Sequence, residues 1–151
     1  MNISATGLAA FDETVQKTNT WLKEIALDLG ADRRRAYQVL RAVLHCLRDR
    51  LTVGEAAQLG DQLPMLVRGI YYEGWHPAGK REKIRSRKEF LARLSTHLAP
   101  SPIEPEDAVR AVFQVLKEHV APGEISDVMQ ELPQDIRALW PQPQLQQQKG
   151  V

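Results

Sequence analysis

The chain carries nearly the same phrase twice, VGEAAQLGDQLP at residues 53–64 and PGEISDVMQELP at residues 122–133. Sliding the sequence over itself by 69 positions aligns residues 21–71 with 90–140 without a gap, and 11 of the 51 paired positions are identical. Among the identities are Arg41/Arg110, Gly54/Gly123, Glu55/Glu124, Leu63/Leu132, Pro64/Pro133 and Arg68/Arg137. Apolar residues exchange for apolar ones at most other positions, as in Leu44/Phe113, Leu59/Val128 and Tyr71/Trp140. An ungapped match of this length reads as a duplicated folding unit. Whatever one half folds into, the other must fold into as well.

The unit is helical. Phe11, Val15, Leu22, Ile25 and Leu29 recur at helical spacing, as do Val43, Leu47 and Leu51 and their partners Val112, Leu116 and Val120. No stretch alternates as a strand would. Asp32, Thr52 with Glu55, and Ser86 with Glu89 stand where helices begin, Thr52 and Glu55 forming a candidate capping box. Pro105 and Pro122 suit first helical positions, while Pro64 and Pro133 end one short helix and open another. Each unit should be two longer helices followed by two short ones. The expected fold is all-α, a helical bundle built from two tandem copies of a four-helix unit. It forms a single domain over residues 1–151, with repeats at 11–72 and 86–141, a basic connector at 73–85 and a disordered tail at 142–151.

Composition narrows the setting. The single cysteine, Cys46, allows no internal disulfide, and the amino terminus lacks the basic start and apolar run of a signal peptide. No apolar run reaches membrane-spanning length. A cytoplasmic protein without membrane contact is expected. The net charge of +1 hides an asymmetry: residues 33–93 hold 14 Lys and Arg against 6 Asp and Glu, whereas residues 98–140 hold 3 against 8. Such a dipole suits an acidic partner, nucleic acid, or contact between copies.

The run RAYQVLRAVLHCLRDRLTVGEAAQLGDQLPMLVRGIYYEGW and its echo AVRAVFQVLKEHVAPGEISDVMQELPQDIRALWP resemble the bacterial family catalogued as domain of unknown function 2267. The resemblance implies a small, duplicated, all-helical bacterial protein. It implies no reaction, ligand or catalytic residue.

The candidate residues fall into three groups. Arg41, Glu55 and Arg68 recur as Arg110, Glu124 and Arg137, and each is expected to fix the docking of helices within its own unit. Tyr72, Glu73, Trp75 and His76 break the repeat symmetry and gather aromatic faces, a carboxylate and an imidazole, a candidate pocket or partner grip. Lys80, Arg81, Lys83, Arg85, Arg87 and Lys88 form a basic run which, with Arg33, Arg34 and Arg35, is a candidate phosphate or nucleic-acid surface. A DNA-reading helix-turn-helix fits poorly, because the second short helix opens on Met65, Leu66 and Val67. His45 and Cys46 are adjacent and point apart on a helix, and His76, His97 and His119 show no ligand spacing. No metal or cofactor site and no catalytic residue is expected. The leading expectation is a non-enzymatic module for protein contacts, with an unknown partner or as a homo-oligomer joined through its basic middle and acidic end. Nucleic-acid or phosphate binding, and a small-ligand site at residues 72–76, are the alternatives.

Overall fold

Local signals place the helix starts where the sequence puts them. In the computed structural model, which describes residues 4–79, 83–98 and 100–142, the first half contains α1 (Ala9–Leu29), α2 (Arg33–Arg50), α3 (Val53–Asp61) and α4 (Met65–Tyr72). The second half contains α5 (Arg87–His97), α6 (Pro105–His119), α7 (Pro122–Gln130) and α8 (Gln134–Arg137). The fold is all-α among the described residues. The Asp32 carboxylate accepts from Arg35 N at 2.8 Å, and the Thr52 and Ser86 hydroxyls accept from Glu55 N and Glu89 N. Gly30, at φ 62°, takes the left-handed turn that closes α1, its amide donating to Ala26 O. No described helix is long and apolar enough to cross a membrane.

The halves interlock rather than sit side by side. Helix α1 packs on α6 while α5 packs on α2, and α2 meets α6 as α3 meets α7. Adding or subtracting 69 exchanges the first two contacts and maps the α2–α6 and α3–α7 contacts onto themselves. Hydrogen bonds repeat the exchange. Thr52 N donates to Glu131 Oε1 at 2.8 Å, and Ala121 N donates to Gln62 Oε1 at 3.3 Å. The arrangement is compatible with two copies of one unit facing each other across a shared core. That core includes Trp21, Leu40, Tyr71, Phe90, Phe113 and Trp140, drawn from both halves.

Two sequence expectations are corrected. Phe11 and Val15 do not face the core; they are 47% and 37% exposed, and Thr14 and Thr18 are buried in their place. The cause lies in α4: Pro64 at its start offers no side-chain cap, so the Thr14 hydroxyl of α1 accepts from Leu66 N at 2.9 Å. A helix end wanting an acceptor outweighed two apolar side chains. The expected capping box also closes only on one side. Glu55 does not supply the acceptor for the Thr52 amide; Glu131 of α7 takes that place, bonding Thr52 Oγ1 as well at 2.8 Å.

Candidate functional sites

Helix α2 presents Arg41, His45 and Arg48 along one face, the spacing of successive turns. The chain leaving α4 brings Glu73, Trp75 and His76 against that face, and Arg93 and His97, one turn apart on α5, close the other side. These residues line a groove of about 440 Å³. Arg48 is its buried strut: Nη1 donates to Tyr71 O at 2.8 Å and Glu73 O at 2.7 Å, and Nε donates to Asp49 Oδ1 at 2.8 Å. Arg41 Nε donates to Glu73 Oε1 at 2.9 Å. His45 Nε2 lies 2.8 Å from Ile70 O, and since a carbonyl only accepts, that nitrogen carries the hydrogen. Burial first, then Arg48 and Arg41, hold the His45 pKa below its ordinary value.

Of the aromatic segment singled out in the sequence, Glu73, Trp75 and His76 line this groove, whereas Tyr72 does not. Tyr72 stacks on Trp75 with ring centroids 5.2 Å apart, its hydroxyl end lying over Gly60 of α3. A Cβ at Gly60 would run into the far end of that ring. Gly60→Ala is therefore expected to swing Tyr72 out, loosen Trp75 and cost about 1 kcal/mol. Near-UV circular dichroism and Trp fluorescence check this, and an unchanged spectrum at unchanged stability would show that Tyr72 is not seated there. Arg48 and Arg93 escaped the sequence reading, and His45 and His97 were weighed there only as metal ligands. Their turn-by-turn spacing was visible, but not that α2 and α5 would face one another.

A second groove, of about 640 Å³, sits 69 positions away, lined by Arg110, Gln114 and Glu118 of α6 with Glu24 and Asp28 of α1. Arg110, Gln114 and Glu118 correspond to Arg41, His45 and Asp49, while Glu24 and Asp28 stand where the first groove has Arg93 and His97. The two sites share a scaffold and invert its charge.

The connector forms no single basic patch with Arg33–35. Lys80 and Arg81 lie outside the described residues. Ile84 is buried and its carbonyl accepts from Arg50 Nε at 2.7 Å, pinning the connector to the carboxyl end of α2. Arg33, Arg34 and Arg35 lie at the opposite end of that 18-residue helix, roughly 22–26 Å from Arg50 at 1.5 Å per residue. Arg87 docks α5: its amide and Nε donate to Asp135 at 2.8 and 3.2 Å, and its guanidinium lies 3.6 Å from Glu106. Lys83, Arg85 and Lys88 face solvent.

The repeated polar residues divide. Arg68 closes the end of α3, donating to Gly60 O and Leu63 O, both at 2.9 Å, and Arg110 pairs with Glu106 on its own helix at 3.0 Å. Arg137 borders a shallow cleft with Lys117 and Ile125. Gly54 and Gly123 have open space where a Cβ would stand, and nothing in the packing accounts for their recurrence. Glu55 and Glu124 do something the sequence did not announce: each is the third residue of its short helix, and the contact of α3 with α7 brings the two carboxyls face to face. Burial, then Glu55, then Asp127 and Glu131 push the Glu124 pKa up to about 8. The reading of both glutamates as corners within their own units is therefore corrected: they meet across the seam between the halves.

The family described as Uncharacterized conserved protein (DUF2267) matches residues 18–139. No curated protein matches the chain.

Proposed function

Since the chain belongs to the DUF2267 family, whose description carries no reaction, we propose a function from the geometry of the grooves: a protein-interaction module whose basic groove receives an acidic segment of a partner. The observation behind it is the charge inversion between two grooves on one scaffold, with Arg93 and His97 where the other has Glu24 and Asp28. Arg41 and Arg93 line the groove with guanidinium groups, the planar kind that pairs with carboxylates, and Trp75 adds a rigid apolar surface beside them. Asp49 and Glu73 in the same groove disfavour an unbroken polyphosphate and suit a segment in which acids alternate with other side chains. A second copy is the poorer occupant, because both charged sites are concave and neither fills the other.

The test is anisotropy of a short labelled peptide of alternating glutamate and leucine, titrated at low salt and at about 0.3 M salt. Binding is expected at low salt, weakened about tenfold by the higher salt and by Arg93→Glu, roughly 1.4 kcal/mol, and unaffected by Arg110→Glu. Absence of binding at low salt, equal binding by Arg93→Glu, or equal binding of a single-stranded DNA would each defeat the reading.

A further inference from the structure

The seam between α3 and α7 holds a third constellation, remote in kind from the grooves. Ligand oxygens of Glu55, Glu124 and Asp127 all lie within 4.8 Å of one another. Glu124 is only 9% exposed, and neither its Oε2 nor that of Glu55 finds a donor outside the pair, the side-chain hydrogen bond of Glu124 being to Glu55 itself. A buried carboxylate oxygen with no donor is costly, and natural structures supply one or bind an ion instead. The charges acting most strongly on Glu124 are those of Glu55, Asp127 and Glu131, all carboxylates. Glu131 already accepts from Thr52 N and Oγ1, so that residue is spoken for. The Tyr71 hydroxyl, from α4, donates to Ala56 O at 2.7 Å and is likewise committed.

We propose that Glu55, Glu124 and Asp127 form a divalent-cation site that clamps α3 to α7. Three carboxylates and no nitrogen or sulfur make a hard, all-oxygen donor set of the kind Ca²⁺, Mg²⁺ and Mn²⁺ take. Ca²⁺ and Mn²⁺ serve as the probes of the site. Asp127 is exposed, so water reaches the ion from its side and completes the shell. Because the ligands come from both halves, the ion joins two segments 69 positions apart in sequence, a role distinct from partner binding at the grooves.

The protein dialysed against chelator is titrated with CaCl₂ by calorimetry and with MnCl₂ by electron paramagnetic resonance, at about pH 8.5 where carboxyl protons compete least. One site per chain is expected, with a dissociation constant of about 10⁻⁵–10⁻³ M, the range of open sites with few charged ligands. Saturating Ca²⁺ should raise Tm by several degrees, as any ligand of the folded state does. Glu124→Gln should abolish binding, and Asp127→Asn, at an exposed position that leaves the fold alone, should weaken it about tenfold. Absence of heat, of bound Mn²⁺ and of a Tm shift would overturn the proposal, as would binding retained in both variants.

Discussion

Arg48→Ala is expected to lower stability by about 3–5 kcal/mol, the cost of breaking a buried, hydrogen-bonded charge from one side. For a chain of this length that is a fall in Tm of roughly 10 °C. Arg48 is 4% exposed, yet it holds three acceptors: the carbonyls of Tyr71 and Glu73 and the carboxylate of Asp49. Truncation leaves the end of α4 without its donors and Asp49 without its partner, and it opens a void beneath the groove. Arg48→Lys keeps the charge but cannot fork to three acceptors, so it should recover about half the loss. Urea unfolding followed by Trp fluorescence measures both, since Trp75 lies on the segment that Arg48 anchors. A loss under about 1 kcal/mol for the alanine variant would show that the strut is dispensable.

The second large effect is a dependence of stability on pH in cation-free protein. Glu124 has a folded-state pKa of about 8 against an ordinary 4.5, with burial the leading cause, so the folded chain holds its proton more tightly than the unfolded chain does. The stability linked to that proton is complete below pH 4.5, declines as pH rises between 4.5 and 8, and is gone above 8. The groups that face the carboxyl are Glu55 of α3, Asp127 and Glu131 of its own helix, and Tyr71 of α4. None of them supplies a positive charge to offset ionisation. The expected fall across that window is on the order of 2–4 kcal/mol. Glu124→Gln removes the titrating group while keeping a donor for Glu55, so its profile should be flatter and its stability at pH 9 higher than that of the natural chain. Urea midpoints collected between pH 5 and 9 in chelator decide it. A natural chain that grows more stable through that range would refute the tighter hold of the folded chain on the Glu124 proton.

Much of the fold was legible because its signals are local. Asp32, Thr52, Ser86, Pro105 and Pro122 start helices through bonds or steric preferences that reach only three or four residues, and the structure places helix starts beside each of them. The offset of 69 carries through to the short helices, with α3 and α7 beginning and ending at corresponding positions. Glu73, Trp75 and His76 were noticed for the same reason, being neighbours along the chain.

What remained hidden depends on how distant faces meet. Phe11 and Val15 lost the core to Thr14, because the uncapped start of α4, some 50 residues later, needed an acceptor. Arg93 and His97 joined the groove only through the docking of α5 on α2, and Glu131 displaced Glu55 as partner of the Thr52 amide only through the packing of α7 on α3. In sequence Glu55 and Glu124 are two copies of one helix-start residue; in space they form one cluster with Asp127. Periodicity and capping specify elements through short-range geometry, whereas the pairing of elements is set by the summed burial of whole faces, which no local run of residues records.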